Sequence, residues 1–313
     1  MLCRIASLVA ALALGLVLET SLAGQEASQA VFKARVERVP VATVVRSRQG
    51  KPVTDLKRND FQLFDNGRPR EIIDFQSEPT PISLLLLVDL SGSMAVEGRW
   101  DSAMSVARQL ELFLKPRQDE VGLYAFDRRL QELAPFGSPL GDVHYILKSL
   151  RPFGVTSLYD AIADAGRTLS SRAGTRRAVI ALTDGEDNAS RLTAEQVSAM
   201  ASSIDVPVYI VMVASPTDPD VPSTKPAKAE ATALGRLADL ASLTGGEMYR
   251  TTTPLDDRKA AGRIVAELRQ QYLIVFEPDT APGWHSIKIQ TRNKDLVVRT
   301  RNGYLVGNRS DRQ

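Results

Sequence analysis

Regularly spaced oxygen-bearing side chains occur in the segment DLSGSM at 89–94. In an extended loop, residues two apart point the same way, so Asp89, Ser91 and Ser93 can turn three oxygen atoms toward one point. Two further donors lie on later loops, Thr156 in GVTS and Asp184 in TDGE. Two carboxylates and three hydroxyls would form an all-oxygen site, which suits Mg²⁺, Mn²⁺ or Ca²⁺ and not a softer ion.

The composition removes other kinds of site. The chain of 313 residues contains 2 His and 1 Cys, too few for a Cys/His zinc site or an iron–sulfur cluster. Its formal net charge of +2 gives no basis for nucleic-acid binding by bulk electrostatics. With 43% hydrophobic and 24% charged residues, the composition is that of an ordinary globular protein. Any metal must therefore be held by oxygen.

Strand and helix patterns alternate in the middle of the chain. The continuous apolar run at 82–88 is typical of a strand buried on both faces of a parallel sheet. Helical spacing follows at 99–114. The remaining strand patterns lie at 121–126, 178–182 and 206–213, and the remaining helix patterns at 158–169, 194–204, 230–243 and 256–269. We therefore predict an α/β domain over 81–276, with a doubly wound, mostly parallel sheet and helices on both faces. Ligands of such sheets lie beyond the carboxyl ends of the strands, where the oxygen-bearing loops fall.

The two flanks of this domain are rich in strand patterns. Residues 31–80 contain Asn66-Gly67 between apolar runs, which predicts a hairpin with a type I′ turn. Within residues 277–307, apolar and polar side chains alternate at 286–290 and 296–301. Both flanks are basic, whereas the middle of the chain is acidic. We predict that the two flanks pair into one small accessory domain resembling a β-sandwich.

The first 23 residues predict a signal peptide. Arg4 supplies a short positive region, an apolar run extends from Ile5 to Leu18, and Ser21 and Ala23 provide the small residues of a cleavage site. A membrane anchor is the alternative, but it needs about 20 apolar residues, and Glu19 ends this run early. No later segment is long and apolar enough to span a bilayer. The sequence thus predicts an exported protein, either periplasmic or secreted, without a transmembrane segment after cleavage.

Each motif also has a simpler interpretation. Ser-Gly-Ser after a strand is often only a turn and a helix cap, Thr156 can cap a helix, and Asp184-Gly185 is a common turn. A hydrolase would use Ser91 or Ser93 as nucleophile, or Asp89 as phosphoryl acceptor. However, neither His144 nor His285 obviously reaches residue 91, and the chain has no Gly-x-Ser-x-Gly elbow and no phosphate-binding loop with a lysine. A structural envelope protein, whose metal only stabilises loops, is a further alternative.

Three motifs together resemble the von Willebrand factor type A (VWA) domain and its metal-ion-dependent adhesion site. They are DLSGSM (89–94), GVTSLYDAI (154–162) and ALTDGEDN (181–188). The flanks also resemble a secreted acidobacterial VWFA-related subfamily. The resemblance implies that Ser91 and Ser93 bind the metal directly, that Thr156 is the family's threonine, and that Asp184, and often Asp89, act wholly or partly through water.

The family resemblance also implies a function. The last coordination position of the metal is left open for an acidic residue of a partner. Neutral hydroxyl ligands and at most two aspartates leave a divalent ion with positive character, which favours a carboxylate from another molecule. We therefore expect an exported, monomeric, non-enzymatic module that binds Mg²⁺ (Mn²⁺ or Ca²⁺ being possible) and, through it, an Asp or Glu of a partner protein.

Overall fold

A computed structural model describes residues 38–306, apart from 97, 173, 175, 204 and 216–227. The predicted signal peptide at 1–23 lies outside the described residues. The strands are β1 (Val39–Ser47), β2 (Phe61–Asp65), β3 (Arg68–Arg70), β4 (Ile72–Gln76), β5 (Ile82–Asp89), β6 (Glu120–Phe126), β7 (Leu130–Ala134), β8 (Arg176–Thr183), β9 (Val208–Val213), β10 (Met248–Thr251), β11 (Tyr272–Phe276), β12 (Gly283–Thr291), β13 (Leu296–Thr300) and β14 (Gly303–Val306). The helices are α1 (Arg99–Phe113), α2 (Asp142–Ser149), α3 (Leu158–Ser170), α4 (Ala194–Ser203), α5 (Lys228–Leu243) and α6 (Pro254–Gln270).

A six-stranded sheet in the order β10-β9-β8-β5-β6-β7 forms the centre of the protein. Its strands are parallel except for β7, which runs antiparallel to β6 at the edge. Every residue of β5 is buried, because helices cover both faces. Leu84 and Leu86 pack with α1, α2 and α6, whereas Leu85 and Leu87 pack with α3, α4 and α5. The predicted doubly wound α/β fold is confirmed.

The flanking strands form two four-stranded antiparallel sheets, β13-β1-β11-β4 and β14-β12-β2-β3. Each sheet combines strands from before and after the central sheet. Their inner faces share one apolar core, to which the first sheet contributes Val41 and Ile274 and the second contributes Leu63 and Ile289. The predicted hairpin is present between β2 and β3, where Asn66 and Gly67 both have positive φ angles, 48° and 76°.

The structure differs from the predicted boundary at residue 276. Strand β11 lies in the sandwich, between β1 and β4, and not in the central domain. All five of its residues are buried. A continuous apolar run of this kind is produced equally by a parallel strand between helices and by an inner strand of a covered antiparallel sheet. The run alone therefore did not identify the sheet to which β11 belongs.

The sandwich contacts the central domain at the amino ends of the central strands. The buried guanidinium of Arg176, the first residue of β8, donates to Glu78 O at 2.6 Å, Thr80 Oγ1 at 2.7 Å, Leu268 O at 2.9 Å and Gln271 O at 2.7 Å. It thereby fixes both chain connections between the two parts. The predicted ligand loops follow the opposite, carboxyl ends of β5 and β8, so the sandwich and the candidate site lie at opposite ends of the central sheet.

An ion cluster strengthens the same contact. Arg46 of β1 and Arg299 of β13 both pair with Glu247 and Glu267 of the central domain. The Glu267 side chain is 2% exposed, so its charge depends on these two arginines. Tyr249 and Tyr209 add hydroxyl donors to Glu267.

Candidate metal centre

Asp89 ends strand β5 and is completely buried. Its Oδ1 accepts the Ser91 backbone N–H at 2.8 Å, and its Oδ2 accepts the Thr183 hydroxyl at 2.7 Å. Burial raises the pKa of Asp89 to about 6, although the hydrogen bonds from Ser91 and Thr183 act in the opposite direction. Burial therefore disfavours the charged form of the Asp89 carboxyl group. Hydrogen bonds from Ser91 and Thr183 hold this group in a fixed orientation.

Ser91 and Ser93 lie with their hydroxyl oxygens 3.1 Å apart. The loop that carries them is bound to the loop before α3, because the Gly92 N–H donates to Gly154 O at 3.0 Å and the Phe153 N–H donates to Leu90 O at 2.6 Å. Residues Gly92–Ala95 form a short 3-10 helix and not the extended loop that the sequence predicted, yet the two hydroxyls still come together.

Thr156 has a buried hydroxyl without a hydrogen-bond partner among the described residues. Its backbone is well held: the Thr156 N–H donates to Asn188 Oδ1 at 3.0 Å, and the Asn188 N–H donates to Thr156 O at 3.1 Å. A buried unsatisfied hydroxyl costs about 1–3 kcal/mol. A cation that accepts this oxygen as a ligand would remove that cost, so the hydroxyl fits a metal site.

Asp184 follows β8 and has a side chain that is only 2% exposed. Its Oδ1 accepts the Glu186 N–H at 3.2 Å, and its Oδ2 accepts a guanidinium N–H of Arg99 at 2.7 Å. Arg99 also donates to the backbone carbonyl of Ser93 at 3.2 Å. Arg99 and Thr183 were not predicted from the sequence. Gly98, which precedes Arg99 and α1, has a left-handed backbone with φ 85°.

The structure places all five predicted residues at the carboxyl edge of the central sheet, with Asp89 at the end of β5 and the other four on the segments that follow the strands. Asp89, Ser91, Ser93 and Asp184 belong to one hydrogen-bonded network, completed by Thr183 and Arg99. The loop that carries Thr156 joins the serine loop through the hydrogen bond from the Gly92 N–H to Gly154 O. Among the described residues, no group of three or more His, Cys, Asp or Glu is placed to hold a metal ion. A metal here would depend on hydroxyl ligands, as hard cations permit.

Neither histidine is placed to activate a serine of this site. His285 of β12 is buried in the sandwich, where its ring nitrogens contact Asp65 at 3.2 Å and Ala281 O at 2.8 Å. His144 lies on α2, which packs against α1. In the described part of the chain, neither ring hydrogen-bonds to Ser91 or Ser93.

Residues 84–186 match the family model described as "von Willebrand factor type A domain". The match includes every one of the five predicted ligand residues, most of β5, and strands β6 to β8. The chain contains a VWA domain. The family model covers about a third of the chain, and the helices and strands after residue 186 complete the doubly wound fold. Strands β1 to β4 and β11 to β14 form the sandwich beside the VWA domain.

Several solved structures are similar to this chain. The conserved hypothetical protein BatB from Bacteroides thetaiotaomicron is 19% identical, with a TM-score of 0.49 over 60% of this chain and 98% of that one. A von Willebrand factor type A protein from Catenulispora acidiphila is 10% identical, with a TM-score of 0.49 over 90% and 76%. The SpRpn10 VWA domain is 15% identical, with a TM-score of 0.41 over 57% and 93%. No curated protein matches the chain.

Among the residues that the structure describes, no helix is both long and apolar enough to cross a membrane.

Proposed function

We propose that this protein is an exported module that binds a partner protein through a divalent cation, with Mg²⁺ as the first choice. VWA domains mediate protein–protein interactions, and the chain contains one. The observation that carries the metal proposal is the buried Thr156 hydroxyl without a partner, on the loop that is hydrogen-bonded to the loop of Ser91 and Ser93.

The side chains divide into two groups by their existing hydrogen bonds. The hydroxyls of Ser91, Ser93 and Thr156 are the groups we propose as direct ligands. Both oxygens of Asp89, and both of Asp184, already accept hydrogen bonds from the protein. We therefore propose that the two carboxylates act at least partly through water, supplying charge and orientation.

A bound divalent ion would supply a positive centre for a partner's carboxylate. Neutral hydroxyls do not cancel the ion's charge. The interaction of a carboxylate with a positive centre is stronger than a hydrogen bond between neutral groups. The placement of both histidines away from the serines supports a binding role over a hydrolytic one. The expected signal peptide supports export, to either the periplasm or the medium.

The test is calorimetric titration of Mg²⁺, Mn²⁺ and Ca²⁺ into metal-stripped protein comprising residues 24–313. We expect saturable binding in the wild type and at least about tenfold weaker binding in Thr156→Val, equivalent to about 1.4 kcal/mol. Thr168→Val, in the second half of α3, is the matched control and should bind like the wild type.

A second titration in excess acetate tests the partner's chemistry. Acetate should tighten metal binding if a carboxylate completes the coordination, because the coupling between two ligands is reciprocal. Metal binding that raises stability but does not respond to acetate or to acidic peptides would favour the structural envelope role. Absence of metal binding with and without acetate would refute the proposal.

A further inference from the structure

Arg99 places a permanent positive charge beside the candidate metal site. It is the first residue of α1 and reaches back to Asp184 Oδ2 at 2.7 Å and to the Ser93 carbonyl at 3.2 Å. The side chain of Arg99 is 15% exposed and that of Asp184 is 2% exposed. The guanidinium of an arginine is positively charged at neutral pH.

The Arg99–Asp184 ion pair reduces the negative charge that the proposed site offers to a metal ion. Of the two carboxylates in the proposed site, that of Asp184 faces a guanidinium, while Asp89 accepts hydrogen bonds from the neutral groups of Ser91 and Thr183. Water screens the Arg99–Asp184 pair little, because both side chains are largely removed from solvent. A divalent ion entering the site therefore meets one carboxylate whose field is already offset by a resident cation.

We propose that Arg99 sets the balance between metal affinity and partner affinity in this site. This inference rests on the proposed function. The guanidinium opposes a second cation nearby and so weakens metal binding. By offsetting Asp184, it also leaves the bound ion with more uncompensated positive charge, which strengthens its attraction for a carboxylate supplied by a partner. Removal of the guanidinium should therefore change the two affinities in opposite directions.

A purely structural role for Arg99 makes a different prediction. The hydrogen bond to the Ser93 carbonyl joins the start of α1 to the serine loop. If Arg99 only held this loop in place, its removal would misplace Ser91 and Ser93 and would weaken the metal and the carboxylate together. The sign of the change in metal affinity separates the two roles.

The test compares Arg99→Gln with the charge-preserving Arg99→Lys and with Arg108→Gln, which removes an exposed arginine farther along the same helix. Calorimetry gives the Mg²⁺ Kd of each, in excess sodium acetate and in sodium chloride of matched ionic strength. The Kd in chloride divided by the Kd in acetate, the acetate ratio, measures the coupling between the metal and a carboxylate. Thermal unfolding in a chelator measures the metal-free protein.

For Arg99→Gln we expect Mg²⁺ binding at least about tenfold tighter in chloride, a smaller acetate ratio, and a lower melting temperature in chelator. Arg99→Lys and Arg108→Gln should stay close to the wild type in both binding measurements. Metal binding in Arg99→Gln that is unchanged or weaker than in the wild type would overturn the role of Arg99 but leave the proposed function intact. If the wild type binds no metal with or without acetate, both proposals fail.

Discussion

At the scale of single residues, Thr156 combines an energetic cost with a proposed function. Its hydroxyl is buried without a hydrogen-bond partner among the described residues, so a methyl group in its place should be favourable in the metal-free protein. We expect Thr156→Val to raise the free energy of unfolding in chelator by about 1 kcal/mol, measured by urea denaturation. In saturating Mg²⁺ the order should reverse, because the wild type gains more binding energy than the variant. A loss of stability in chelator would contradict this view of the hydroxyl.

Thr183 makes two hydrogen bonds beside the candidate site. Its hydroxyl donates to the buried Asp89 Oδ2 at 2.7 Å and accepts the Gly185 N–H at 3.0 Å. Thr183→Val keeps the shape and removes both hydrogen bonds, so we expect a loss of about 1–3 kcal/mol in unfolding experiments at pH 7, where the carboxylate is largely charged. Thr183→Ser, which restores a hydroxyl, should recover most of it. Equal losses in both variants would mean that packing, and not the hydrogen bond, is responsible.

The residue types at the candidate site were readable from the sequence, whereas their contacts were not. Alternation along one loop sufficed to select Asp89, Ser91 and Ser93, and the carboxyl-edge rule selected the loops of Thr156 and Asp184. Thr183 and Arg99 contact the site through side chains that reach between segments distant in sequence. Arg99 does so across 85 positions, and a local pattern carries no information about such a contact.

At the scale of elements, Asp119 fixes the start of one strand and the ends of two helices. Its Oδ1 accepts the Ile82 N–H at 3.0 Å, and its Oδ2 accepts the Lys115 N–H at 2.7 Å and a guanidinium N–H of Arg269 at 2.5 Å. Burial acts to raise the pKa of Asp119, but the hydrogen bonds and the charge of Arg269 outweigh it and lower the pKa below 3.8.

A lowered pKa in the folded state has a definite sign for stability. The ionised Asp119 stabilises the protein at pH values above the unfolded pKa, and this contribution is lost as the pH falls through the lower, folded pKa. We expect Asp119→Asn to cost about 2 kcal/mol at pH 7 and progressively less below about pH 4, measured by urea unfolding at several pH values. Asp101→Asn, an exposed control on α1, should show no such trend. A cost independent of pH would exclude the ionic contribution.

The hairpin between β2 and β3 gives a test of backbone geometry alone. Gly67 has φ +76°, and a Cβ at this position would meet nothing within 4 Å. Gly67→Ala should therefore cost about 1 kcal/mol in the free energy of unfolding through backbone strain without a clash. Gly50→Ala, with a similar φ of +78° and open surroundings, should behave alike. No measurable cost at either position would contradict the left-handed turns.

Helices and strands with a strong sequence pattern were predicted correctly, whereas those with a weak or ambiguous pattern were not. The apolar run of β5 and the helical spacing of α1 identified the central layers, and Asn-Gly identified the hairpin. Strand β7 was missed because its partly exposed residues, LQELA, do not alternate. The sheet membership of β11 was not predictable, since a run buried on both faces fits either sheet.

At the scale of the whole molecule, the sandwich and the VWA domain should unfold together. Arg176 joins both connections, and Glu267 is buried between Arg46 and Arg299. We expect a single calorimetric transition for the wild type. Glu267→Gln should reduce the free energy of unfolding by about 3–5 kcal/mol and lower the midpoint temperature accordingly, because two arginines lose a buried partner. Two separate transitions in the wild type would show that these contacts do not couple the domains.

The opposite placement of the sandwich and the candidate site has a mechanical consequence. Strand β1 begins at Val39 and β14 ends at Val306, both in the sandwich, so a pull exerted by a partner on the ligand loops would travel along the central strands before it reached either of these points. The parallel ladders of β5 with β6 and β8 would then carry the load as shear, distributed over many hydrogen bonds at once. Arg176, at the amino end of β8, would pass that tension to the two chain connections together.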